Sequence, residues 1–205
     1  MAEGTAAPPF RPIGELAELC GHYCWVERRI FEVTGRRASR PATGDPDTGD
    51  DDAGDPEIRV VLHQMSAAHG FLAAQWRDRL PVRAGVDAEA LIVPPPGPLD
   101  EVLELIESEP GLATVLEVVA LQALPWLLDS YEQNLERASP VSEAPVRAVL
   151  EQAARSTGCE IRLAGVLLDR LAQAGERAGS DRNSGALAQR LLESARDSFP
   201  GARAS

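Results

Sequence analysis

Apolar positions in the stretch from residue 56 to 80 fall at Ile58, Leu62, Met65, Leu72, Trp76 and Leu80, with His69 as the one polar member of the series. Intervals of three and four residues put all seven side chains on one face of an α-helix. Asp55 as N-cap, Pro56 in the first turn and Pro81 at the far end give that helix its limits. The same test marks three more long helices. The first runs from Ile13 to Val33, with the stripe Leu16, Cys20, Tyr23, Glu27 and Ile30, flanked by Leu19 and Val26, and Gly35 placed to end it. The third spans Leu112 to Ala138 and is expected to bend at Pro125. Its line is Glu117, Leu121, Leu124, Leu128, Tyr131 and Leu135, with Leu112, Leu116 and Val119 offering a competing face. The fourth runs from Glu143 to about Ala174, capped by Ser142, with Val146, Val149, Ala153, Thr157, Glu160, Ala164, Leu167 and Leu171 in line.

The links set the topology. Residues 1–12 read as a flexible lead-in, and 36–55, rich in Gly, Pro and Asp, as a mobile acidic loop. Residues 175–205 read as a flexible tail carrying a short amphipathic helix from Ala186 to Ser198. The body, 13–174, is one all-α domain. "SPVS" is a short link, so the third and fourth helices are antiparallel neighbours. Residues 81–110, with a short extra helix from Leu99 to Glu107, are long enough to travel the length of a bundle. Two antiparallel pairs joined by one long crossover between helices two and three make a four-helix bundle of the ferritin-like arrangement.

Composition narrows the partners. A net charge of −12 over 205 residues argues against a protein that neutralises nucleic-acid phosphates. All 20 basic residues are Arg, which base composition of the gene explains more simply than function. No uninterrupted apolar run reaches the ~18 residues of a membrane span. The first residues lack the basic start and apolar core of a signal peptide. Three cysteines, an odd number, suit reduced thiols in a cytoplasmic protein. The expected partners are a small molecule or a second copy of the chain, with neither nucleic acid nor membrane.

Chemistry enters through polar residues on buried stripes: Glu27, His69, Glu117 and Glu160, one from each long helix. A carboxylate buried alone costs several kcal/mol, so such groups pair, bind metal or take up a proton. By contrast, Cys20 and Cys24 share a helix face as packing residues and His22 points away from them, which argues against a Cys–His–Cys zinc site. His63 lies off the stripe, and Trp25, Trp76 and Trp126 read as core anchors. No phosphate loop, nucleophile elbow or Cys-x-x-Cys pair is present.

Those four residues on four helices resemble the ferritin-like di-iron carboxylate proteins. There, helices one and three each give a Glu, and helices two and four each give a Glu-x-x-His pair. By that resemblance Glu27 and Glu117 match the single glutamates, His69 the His of helix two and Glu160 the Glu of helix four. The remaining positions depart from the pattern: Ser66 in "SAAH" and Leu163 in "EIRL". The resemblance therefore implies a degenerate site. It holds no metal and survives as a buried polar network in a small-molecule-binding or interaction module, or it holds a single iron or manganese ion as an oxidase or oxygenase. A histidine-based metal bundle of the DinB type is disfavoured, because only His69 is clearly inward.

Overall fold

The computed structural model describes residues 11–40 and 56–173, apart from 84, 86, 98 and 110. Among these residues the regular elements are all helical. They are α1 (Ile13–Ser39), α2 (Pro56–Arg77), a 3-10 turn (Glu89–Leu91), α3 (Leu99–Ser108), α4 (Leu112–Val118), a π turn (Val119–Ala123), α5 (Leu124–Arg137) and α6 (Ala144–Gln173). The lead-in up to residue 10, the acidic stretch 41–55 with its Asp55 cap, and the tail from 174 onward lie outside the described residues.

Helix α1 continues through Gly35 to Ser39, so residues 36–39 belong to the helix and not to the acidic loop. The glycine has another use: a Cβ there would stand 2.7 Å from Ser66 Oγ. Gly35 thus lets α1 and α2 approach closely, and its helix-breaking tendency of about 1 kcal/mol is overridden by packing. The two helices make the most extensive contact among the described residues. Cys24 meets Ala73, Glu27 meets His69, the Phe31 carbonyl meets Ser66 and the Ala38 carbonyl meets Arg59. Partner numbers fall as α1 numbers rise, so the pair is antiparallel. Helix α2 also packs on α6, where His69 faces Glu160 and Glu57 pairs with Arg170, again in antiparallel order. Helix α6 returns along α5 after a link of six residues, with Arg147 Nη1 donating to the Leu135 carbonyl at 2.9 Å.

The segment from Leu112 to Arg137 departs from a straight helix at Val119–Ala123, where the Leu124 N–H bonds the Val119 carbonyl five residues back. Pro125 accounts for the widening. It has no N–H to give, and in a regular helix its ring would collide with the carbonyl four residues earlier. One widened turn rotates everything beyond it relative to everything before. Upstream, the competing face wins: Leu112, Leu116 and Val119 are buried, while Leu121 is 49% exposed and Glu117 half-buried. Downstream, the expected line holds at Leu124 and Tyr131, with Leu128 and Leu135 half-buried. By length and mean hydropathy (1.5) Leu112–Arg137 could cross a membrane, yet 61% of the apolar window is buried inside the bundle, as in a core helix.

The segment between α2 and α4 lies against α1. Leu99, Val102, Leu103 and Ile106 of α3 are buried. Arg29 reaches Asp100 at 3.5 Å and Glu107 at 3.6 Å, and Arg36 pairs with the same Glu107.

The burial pattern of this segment makes a prediction. Leu121→Ser should change stability by no more than about 0.5 kcal/mol, because the side chain is exposed. Leu127→Ala, fully buried, should cost about 2–5 kcal/mol. Urea denaturation midpoints of the two variants check this.

Candidate functional site

Three of the four expected residues meet in the core. Glu27 of α1 and His69 of α2 are fully buried, and Glu160 of α6 is 9% exposed. His69 lies between the two acids, with Nδ1 against Glu27 Oε2 and Nε2 3.0 Å from Glu160 Oε2. The first contact is a hydrogen bond. The second is close enough for an ion pair, and neither atom has a hydrogen-bond partner. Ser156 Oγ donates to the other oxygen of Glu160 at 3.1 Å.

Helix α5 supplies the residue that sequence reasoning did not single out for chemistry. Tyr131, fully buried, donates its phenol O–H to Glu27 Oε1. The result is a chain of four side chains from four helices: Tyr131, Glu27, His69 and Glu160. Glu117 is outside it, half-buried on α4 and joined to none of the three by a hydrogen bond or ion pair. A signal for Tyr131 was present. A Tyr on a buried stripe needs a partner for its hydroxyl, and Glu27 on a facing stripe needs donors.

Further contacts hold the tyrosine ring. Tyr23 and Tyr131 lie with centroids 4.8 Å apart, and Trp76 stacks on Tyr23 at 4.7 Å. The Tyr23 hydroxyl is fixed by Ser130, which is 2.8 Å away through Oγ, and by Asn134 Nδ2, which donates at 2.9 Å. Ser130 and Asn134 are one turn apart on α5 and bracket Tyr131. Orienting Tyr131 therefore falls to residues of α1 and α5 together.

The two positions where the sequence lacks a ligand point elsewhere. Ser66 Oγ donates to the Phe31 carbonyl at 2.9 Å, and Leu163 is 46% exposed. Thr157, one turn before Glu160, is fully buried and its Oγ1 has no hydrogen-bond partner. Cys20 and Cys24 are buried as expected, and burial pushes the Cys20 thiol up to about 12. His22 contacts the segment between α2 and α3, with Nδ1 3.0 Å from the Val93 carbonyl.

Burial alone would drive His69 toward its neutral form. The Glu27 charge and the contacts with both carboxylates outweigh that and raise its pKa from 6.5 to about 10. As an imidazolium it carries an N–H on each nitrogen, and each nitrogen has an acid beside it. Burial and the Glu27 charge raise Tyr131 well above 10, so the phenol keeps its proton.

A histidine raised on folding contributes stability that is fully present below its unfolded pKa of 6.5 and is lost as pH rises through about 10. The unfolding free energy should therefore fall between pH 6.5 and 10, and His69→Gln should flatten that slope. Urea titrations across this range test the sign; a wild-type slope that His69→Gln leaves unchanged would assign it to other groups. Comparison of the chain with protein-family models, curated proteins and solved structures gave no match.

Proposed function

We propose that this protein is a ferritin-like helical bundle in which a buried Tyr–Glu–His–Glu chain occupies the place of a two-metal centre. In this reading it is a cytoplasmic binding module for a small molecule or a partner, and not a di-iron oxidase. One observation carries it: both ring nitrogens of His69 face carboxylates. A histidine serving a two-metal site presents one nitrogen to an ion and keeps only the other for a supporting carboxylate. Here Glu27 hydrogen-bonds Nδ1 directly and its second oxygen is taken by Tyr131. Ser66 and Leu163 offer no replacement for the missing ligands.

The order of the helices supports the ferritin-like part. Helix α1 is antiparallel to α2, α2 to α6, and α6 to α5, so α2 and α5 run the same way. Consecutive long helices that run the same way need a connection as long as the bundle, and the segment from 78 to 111 serves.

A second reading has its own observation. His69 Nε2 and Glu160 Oε2 lie 3.0 Å apart with no hydrogen-bond partner, and Thr157 Oγ1 nearby on α6 is equally unpartnered. Two ligands bound at about 2.0–2.2 Å to one ion are separated by a comparable distance. Glu27 behind Nδ1 would then be the supporting carboxylate. Such a site could hold one iron or manganese ion, which would supply Lewis-acid or redox chemistry when bound.

Metal analysis of protein purified without chelators, before and after incubation with Fe(II) or Mn(II), separates the readings. The network predicts less than about a tenth of an equivalent under both conditions, because displacing the carboxylates from His69 opposes binding. About one equivalent, lost in Glu160→Gln, would favour the single ion; two equivalents would overturn both.

A further inference from the structure

We infer that residues 87–93, the part of the crossover that contains the 3-10 turn, form a strap that opens without unfolding the bundle. It uncovers the α1–α2 seam one turn from the Glu27–His69 pair. The role of this opening as an entrance rests on the binding-module reading; the opening itself does not.

Burial sets the strap apart from its surroundings. Leu80 at the end of α2 is 5% exposed and Leu99 at the start of α3 is 2% exposed. Between residues 81 and 94 none of the described residues is buried. Leu91 and Ile92 pack on the core only partly. Segments with few buried apolar contacts open at a lower free energy than the whole domain. Both flanks hold a glycine with a left-handed backbone, Gly85 at φ 81° and Gly97 at φ 115°. Glycine takes such angles at no steric cost and can leave them as readily.

Polar attachments hold the strap down. Glu89 is clasped between Arg28 of α1, at 3.7 Å, and Arg77 of α2. All three side chains are 40% or more exposed, so the clasp is weak and open to screening by salt. The Val93 carbonyl takes the contact from His22 Nδ1. Closest of all, a Cβ on Gly21 would stand 2.0 Å from the Leu91 carbonyl oxygen, so the strap lies directly on the α1 backbone. Within the strap, the Glu89 N–H bonds Asp87 Oδ1 at 3.1 Å, which lets the turn move as a unit.

Cys24 lies under this clasp and reports on it. Its thiol is fully buried and donates to the Ala73 carbonyl across the seam. On α1 it stands one turn from Gly21, on which the strap rests, one turn from Arg28 of the clasp and one turn from Glu27 of the network. Cys20, equally buried one turn earlier, serves as the internal control.

The experiment is maleimide labelling of the full chain carrying Cys159→Ser, which removes the exposed thiol, with labelled sites located by mass spectrometry. Opening predicts that Cys24 reacts about tenfold or more faster than Cys20, because local opening is commoner than global unfolding. Glu89→Gln, or raising the salt concentration, should speed Cys24 further and leave Cys20 unchanged. Gly21→Ala, which forces the Leu91 carbonyl away, should do the same. If it fails to fold, the Glu89→Gln and salt comparisons stand alone. Cys24 and Cys20 reacting at one common rate in every folded variant would overturn the strap. Metal content and the pH dependence assigned to His69 are separate measurements, so failure here and failure of the binding-module reading are distinguishable.

Discussion

Glu27 and His69 put a hydrogen-bonded acid–base pair into the most extensive helix–helix seam among the described residues, and the other helices are placed by what that pair requires. Removing a carboxylate from water costs several kcal/mol, which only close charges and hydrogen bonds can offset. Glu27 has two oxygens, and two different helices answer them: His69 from α2 and Tyr131 from α5. His69 has two nitrogens, and the second is met by Glu160 from α6. Satisfying one buried carboxylate thus recruits every long helix of the bundle. Around it Trp76, Tyr23 and Tyr131 exclude water, which strengthens each contact in the chain.

Much of the fold was legible because periodicity reports burial directly. The α2 stripe from Ile58 to Trp76 is buried throughout, and the α6 stripe from Val146 to Leu171 likewise. What periodicity cannot report is a change of period. The pattern offers two faces for this helix, and Leu121, on one of them, is exposed where the helix widens ahead of Pro125. Proline marked the place correctly, but a bend and an inserted residue rotate the following face differently. Gly35 misled for a related reason. Its meaning depends on the distance to Ser66 across the seam, which a single helix does not contain.

The site was legible to the extent that it consists of polar residues on apolar stripes. Glu27, His69 and Glu160 stood out by that test and meet in the core. Glu117 passed it only on the line that the π turn displaced, so its separation from the cluster and the exposure of Leu121 have one cause. Tyr131 escaped notice because a tyrosine on a buried stripe looks like packing until the atom facing its hydroxyl is known. The unpartnered Thr157 Oγ1 was still further out of reach, since a helical threonine ordinarily bonds the carbonyl four residues back, as Thr34 does to Ile30.

A buried charged chain is weak evidence for stability, since well-packed apolar residues often stabilise as much or more. Its value in this bundle lies in register. The seam between α1 and α2 is built from stripes rich in Leu, Ile, Val, Ala and Cys, and such surfaces remain apolar after a slip of one turn. A slip of that size would carry Glu27 about 5 Å from His69, leaving Glu27 only Tyr131 and His69 only Glu160 as a buried partner. The cost of that state is what the apolar stripes alone cannot supply. The same slip would move Gly35 away from Ser66 and Gly21 away from the Leu91 carbonyl, so two close backbone approaches depend on the register that the ion pair selects. A network that fixes register also fixes where the strap rests on α1, and so ties the interior of the bundle to the segment that covers it.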